Sequence, residues 1–167
     1  VRTQRLPGLP MIKNNDKTND QNGVTMKEIA ATYEYKDATG SLLFEVVRYE
    51  PKEFRQRRPD GNGGWIWNVE GVAPTLYRLP ELAGLEAVFV VEGEKDCDRL
   101  WEMGIGATTC STGAGKWRQA HTEQLSNIGP QRVFIVPDND QPGVRHAEAV
   151  ARSCLKAGLP VKIVPLP

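Results

Sequence analysis

Short apolar runs alternate with stretches of helical period along the second half of this chain. Ala87-Val88-Phe89-Val90-Val91 and Val133-Phe134-Ile135-Val136 are β-branched and aromatic, and each has the length of a strand covered on both faces. The pattern predicts strands at 87–91, 107–110, 132–137 and 161–164, separated by helices at about 95–103, 118–127 and 143–157. Strand and helix in alternation predict an α/β lobe with a mostly parallel sheet flanked by helices. The last helix carries Val144, Ala147, Val150, Ala151, Cys154 and Leu155 at helical spacing, and Gly158 and Pro160 end it. Cys97, Leu100 and Trp101 form a similar stripe on the first helix and are read as packing.

The first half has a different rhythm. Tyr33 and Tyr35, then Leu43, Glu45, Val47 and Tyr49, alternate around the turn Asp37-Ala38-Thr39-Gly40, which predicts an antiparallel hairpin. A glycine-rich loop, Asp60-Gly61-Asn62-Gly63-Gly64, leads into Trp65-Ile66-Trp67, and Ala73 to Pro80 completes the segment. The expectation is a small antiparallel β-rich lobe over 23–84, ahead of the α/β lobe at 85–167. Residues 1–22 are polar, rich in Asn, Asp and Lys, and lack periodicity, so they read as a linker or disordered lead-in.

With 167 residues, 40% of them hydrophobic and 25% charged, the chain can bury one ordinary core and a small second lobe. No apolar run approaches the length of a membrane span and no secretory signal is visible, so a cytoplasmic location without membrane contact is the default expectation. Cys97, Cys110 and Cys154 are odd in number and lack metal-ligand spacing, which predicts buried inert thiols rather than disulfides or a zinc site. Zero formal net charge excludes a chain coated in basic residues, yet the charges are unevenly placed. Arg48, Lys52, Arg55, Arg57 and Arg58 crowd one stretch, while Glu92, Glu94, Asp96, Asp138 and Asp140 gather at the ends of two predicted strands.

Glu92-Gly93 follows the first apolar run, and Asp138-Asn139-Asp140 follows the second. Neighbouring parallel strands deliver their carboxyl ends to one crevice, so these acids can meet. The plain alternative is solvated turn acids, since Asp and Asn are ordinary turn residues. In an extended segment, Asp138 and Asp140 would project to one side and Asn139 away from it. Gly93 would let the chain fold tightly into a helix N-terminus suited to phosphate, whereas Pro142 and Gly143 are assigned backbone geometry alone. Carboxylates gathered in low dielectric repel one another, which makes a divalent cation integral to this reading. Magnesium matches hard oxygen donors.

Glu92-Gly93-Glu94-Lys95-Asp96 after one strand and Asp138-Asn139-Asp140-Gln141-Pro142-Gly143 after another resemble the Toprim domain shared by primases and topoisomerases, over roughly Leu85 to Pro165. The resemblance implies that Glu92 is a general acid/base or metal-associated group, and that Asp138 and Asp140 hold Mg2+ (or Mn2+). Asp96 matches a further acid of the first motif. The segment Phe54-Arg55-Gln56-Arg57-Arg58-Pro59-Asp60-Gly61-Asn62-Gly63-Gly64-Trp65 is similar to the stretch that precedes Toprim in phage and mobile-element primases and primase-helicases. The implied function is metal-dependent nucleotidyl transfer, making RNA primers on single-stranded DNA from nucleoside triphosphates, with a helicase domain or subunit as a partner. A cutting enzyme of the nuclease or topoisomerase type and a non-catalytic nucleic-acid-binding Toprim module are the alternatives. The chain ends at Pro165-Leu166-Pro167, where the resemblance implies that a further acidic motif should begin, so the expectation is a truncated domain of a longer protein.

Lys52, Arg55, Arg57 and Arg58 are candidates to track the phosphates of a template, with Trp65 and Trp67 as stacking surfaces or partial core. Thr112-Gly113-Ala114-Gly115-Lys116-Trp117 resembles a P-loop, but Cys110 stands at the first glycine position and Trp117 at the Ser/Thr position. As a glycine-rich turn it can still bring Lys116 and Arg118 to a phosphate or nucleic-acid backbone, or it is a plain turn with solvated charges. Gly104-Ile105-Gly106 fails as a dinucleotide fingerprint, with Thr109 at the third small position. Asp138 onward fails as a calcium loop, with Pro142 and Ala149 where oxygen ligands are needed.

Overall fold

The computed structural model describes residues 27–113 and 115–165. The proposed lead-in at 1–22 lies outside the described residues, and so do the residues up to 26 of the proposed N-terminal lobe. Strands β1 (Glu28–Lys36), β2 (Leu42–Glu50), β3 (Glu53–Pro59) and β4 (Trp65–Ile66) form an antiparallel sheet in that order. The first hairpin turns because the Asp37 carboxylate accepts the backbone N–H groups of Thr39 and Ser41, at 2.8 and 3.0 Å, while Gly40 supplies a φ of 88°.

Register then decides the faces. Tyr33 lies opposite Val46 and Tyr35 opposite Phe44, so the tyrosines share a face with Phe44 and Val46, not with the Leu43, Glu45, Val47 and Tyr49 series. That second series covers the opposite face, where Glu45 sits across from Arg57. The pair is buried and joined at 2.6 Å, and the Arg57 guanidinium lies 4.0 Å from the Trp65 ring centroid and 5.4 Å from that of Trp67. The Arg57 charge is thus met by a carboxylate and two indoles.

The second sheet is parallel throughout, in the order β6 (Ala107–Thr108), β5 (Ala87–Val90), β7 (Arg132–Ile135), β8 (Val161–Ile163). Helices α1 (Glu94–Glu102), α2 (Gln119–Ile128) and α3 (Gln141–Lys156) make the crossovers. Val88, Val90, Val133 and Ile135 bury one sheet face against Leu125 of α2 and Ala147, Val150 and Cys154 of α3. Phe89, Val91 and Ala107 point the other way, into a cluster with Cys97 of α1 and with Tyr33, Tyr35, Phe44 and Val46 of the antiparallel sheet. The layers are therefore helices α2 and α3, the parallel sheet, and then α1 together with the antiparallel sheet.

Three expectations change in detail. Val144 and Leu155 are exposed at 42% and 60%, because they flank the stripe whose centre is Ala147, Val150, Ala151 and Cys154. The strand expected at 107–110 stops at Thr108, since Thr109 and Cys110 pair instead with Tyr77 and Leu76. Leu76, Leu79 and Leu82 consequently bury in the α/β core, although the sequence pattern placed Ala73 to Pro80 in the N-terminal lobe. All three cysteines are free and buried, and burial raises each thiol's pKa, that of Cys154 to about 11 and that of Cys110 to about 12. No helix among the described residues is long and apolar enough to cross a membrane.

The Glu45–Arg57 pair yields a direct test. Removing one partner of a buried ion pair leaves the other charge uncompensated, so Glu45→Ala is expected to lower unfolding free energy by about 3 kcal/mol in urea denaturation. An exposed ion pair such as Arg152–Glu148 should change it by less than about 1 kcal/mol when broken.

Candidate functional site

Val90 and Ile135 are register partners on adjacent parallel strands, so the residues after them leave the sheet side by side. Glu92 turns off β5 and reaches across, and its Oε1 accepts the backbone N–H of Asp138 at 3.1 Å. Its own carbonyl accepts the buried Thr109 hydroxyl at 3.1 Å. Glu92 is thus held from both neighbouring strand ends. Burial raises its pKa above the usual carboxylate value; the Asp138 N–H opposes this, and the charges of Asp138, Asp140 and Asp96 add to it.

The Asp138–Asp140 segment is not extended as the sequence suggested. The N–H of Asp140 donates to the Asp138 carbonyl at 2.8 Å, which closes a three-residue turn with Asn139 at its exposed apex. Asp140 then caps α3: its Oδ1 accepts the N–H of Gly143 at 2.7 Å. One oxygen of Asp140 is therefore engaged with the helix. Asp96, exposed in the first turn of α1, completes the group of acids that Glu92 senses.

Gly143 is a spatial requirement of this site. A Cβ there would stand 2.3 Å from Glu92 Oε1 and 2.6 Å from the Asp138 carbonyl oxygen. Helix propensity alone favours Ala over Gly by about 1 kcal/mol, but overpacking against fixed backbone costs about 1–3 kcal/mol. Gly143→Ala is expected to be destabilising in spite of its helical position and to displace Glu92; thermal unfolding and the Asp138 amide chemical shift check both.

The donor set consists of carboxylate oxygens, which suits a hard divalent cation rather than zinc. Among the described residues, no three His, Cys, Asp or Glu side chains come close enough together to hold a metal ion by themselves.

The cationic candidates divide by position. Lys116 and Arg118 are exposed on the segment between β6 and α2. Gly115 is tethered there by its N–H, which donates to His146 Nδ1 on α3 at 2.9 Å, and Arg118 donates its N–H to His121 Nδ1 at 2.9 Å. Lys52 is exposed beyond β2, and Arg55 is exposed with its Nε 2.7 Å from Glu53. Strand alternation puts Arg55 and Arg57 on one face of the antiparallel sheet and Arg48 and Arg58 on the other. The Nε atoms of Arg48 and Arg58 are buried with no hydrogen-bond acceptor among the described residues. Trp67 is 46% exposed and Trp65 half-buried, each beside Arg57.

Sequence reasoning missed Thr109 and His146 as contributors. Thr109 registered there only as a mismatch to a dinucleotide fingerprint, and nothing local marks His146 as the anchor of a glycine-rich loop thirty-one residues earlier.

Residues 89–167 match the family described as Toprim-like. The C-terminal lobe is therefore similar to a Toprim-like domain. Over 86 residues the chain is 30% identical to a DNA primase of Chlamydia pneumoniae, covering 52% of this chain and 14% of that relative. It is 29% identical over 135 residues to the Gene 57 protein of Mycobacterium phage D29, covering 77% of this chain and 84% of the phage protein. Among solved structures, the zinc-binding and RNA polymerase domains of Aquifex aeolicus primase superpose with a TM-score of 0.64 at 22% identity, over 81% of this chain and 34% of theirs. The primase fragment of the bacteriophage T7 primase-helicase gives 0.58 at 18% identity, over 81% and 52%. These likenesses extend the shared fold beyond the Toprim-like domain into the antiparallel sheet. The chain spans only 14–20% of the length of the chlamydial primases it matches.

Burial of His121, aided by the Arg118 charge, pushes its pKa down to about 4, so the folded protein holds the neutral ring as acceptor. The unfolded value is about 6.5, so this contribution is complete above that pH and is lost as pH falls toward 4. Between pH 7 and pH 4 the protein should lose about 3 kcal/mol more unfolding free energy than His121→Asn, which keeps an acceptor but does not titrate. Urea titrations of both proteins across that range measure the difference.

Proposed function

We propose that this chain is the catalytic core of a DNA primase, joining ribonucleotides on a single-stranded DNA template with Mg2+ or Mn2+. The observation that carries the reading is the Glu92 carboxyl bound to the Asp138 main chain across adjacent strand ends, with Asp140 and Asp96 in its electrostatic reach. Kinship with DNA primases in sequence, and with primase structures in fold, supports the same reading.

In this proposal Asp138 and Asp140 would hold the cation together with waters and substrate oxygens, with Asp96 and the Glu92 carboxyl nearby. When bound, it supplies charge to the reacting phosphate and to the departing pyrophosphate. Glu92, whose raised pKa favours proton uptake, takes the proton of the primer 3′-hydroxyl as that oxygen attacks the α-phosphorus and pyrophosphate leaves. Lys116 and Arg118 orient the triphosphate, and Lys52, Arg55 and Arg58 track the template phosphates. Arg57 is left out of that role because Glu45 neutralises it inside the sheet. The partners are single-stranded DNA, nucleoside triphosphates and a helicase domain or subunit, at replicating DNA in the cytoplasm.

Incubation with single-stranded DNA, labelled nucleotides and magnesium or manganese tests this. Short RNA products support the proposal, whereas DNA fragments would point to a nuclease and a mobility shift without chemistry to a binding module. Glu92→Gln and Asp138→Asn are each expected to lower product formation by at least about 100-fold with melting temperature unchanged. Undiminished turnover in either variant removes that residue from the site.

A further inference from the structure

The acid Glu94 stands inside the same motif as Glu92 and Asp96, yet its side chain turns away from the cation site. It is the first residue of α1 and only 8% exposed. Its Oε1 accepts the hydroxyl of Tyr35, a fully buried residue of β1, at 2.8 Å. One helical turn later Asp98 accepts the Tyr77 hydroxyl at 3.1 Å and an Arg78 nitrogen at 2.8 Å. Tyr35 stacks on Phe44, centroids 4.4 Å apart, and packs against Tyr77 at 5.2 Å. The antiparallel sheet is thereby pinned to the helix that begins two residues after Glu92.

We propose that Tyr35 and Glu94 are positioning residues: their buried hydrogen bond fixes the orientation of α1 and so keeps the Glu92 carboxyl on the Asp138 amide. A tightly buried carboxyl gives up favourable hydration, and an apolar side chain at this position would pack at lower cost. What the polar pair adds is direction, since a hydroxyl and a carboxyl meet in one geometry while two apolar groups slide. Glu92 is sensitive to that direction because it is held at both ends, by Thr109 on its carbonyl and by Asp138 at its carboxyl. Displacement of about 1 Å at such a centre is enough to cost two orders of magnitude in rate.

This inference rests on the primase reading for its catalytic consequence but not for its structural one, so two readouts are needed. Amide hydrogen exchange at Asp138 reports the Glu92 contact without any turnover. Tyr35→Phe and Glu94→Ala are each expected to speed that exchange about tenfold, and the double variant no further than either alone. Glu94→Gln, which retains an acceptor for the hydroxyl, should stay near the parent. If the parent makes primers, Tyr35→Phe should lower kcat about tenfold with the nucleotide KM little changed. Exchange at the parental rate in Tyr35→Phe, or Glu94→Gln behaving as Glu94→Ala, overturns the positioning role. A parent that binds no Mn2+ and makes no RNA overturns the primase reading and leaves the exchange result to decide this one.

Discussion

Glu92 is held by two strands that are not its own. Its carboxyl takes the Asp138 N–H at the end of β7, and its carbonyl takes the Thr109 hydroxyl at the end of β6. β5 lies between these strands, so the parallel order β6-β5-β7 is what places both partners within reach. The remaining features of the site follow from that constraint. Asp138 must present its main chain, which the three-residue turn to Asp140 allows, and the first turn of α3 must carry a residue small enough to leave the carboxyl room, which is Gly143. The charge of the neighbouring acids and partial burial then raise the Glu92 pKa together.

The antiparallel sheet contributes through a second set of contacts. Its aromatic face fills the side of the parallel sheet that α1 leaves open, so the two lobes share one cluster of buried side chains. Within that cluster, hydroxyl-to-carboxylate bonds at Glu94 and Asp98 give the apolar contact a direction. The opposite face of the sheet encloses the Glu45–Arg57 pair beneath two tryptophans.

Much of the α/β lobe was legible in the sequence. Apolar runs at 87–91 and 132–137 became adjacent strands, and the three helices lie within a few residues of their expected limits. Helical spacing located the stripe of α3 but not its width, as the exposure of Val144 and Leu155 makes plain. The antiparallel segment was legible as a hairpin. Its faces were not, because alternation gives two sets of side chains without saying which set meets the second lobe. Arg57 illustrates the consequence: one residue from Arg58 in sequence, it lies on the other face beside Glu45.

Local chemistry in the sequence determined which elements form and which acids stand at their ends, since hydrophobic period and strand-end position are properties of neighbouring residues. Tertiary structure alone decided how those acids are used. Glu94 turned inward to Tyr35, Asp140 gave an oxygen to a helix cap, and Glu92 found the main chain of Asp138. Each of these is a hydrogen bond about 3 Å long, and a bond that short depends on strand order, register and the direction in which the chain leaves the sheet, none of which residue spacing specifies.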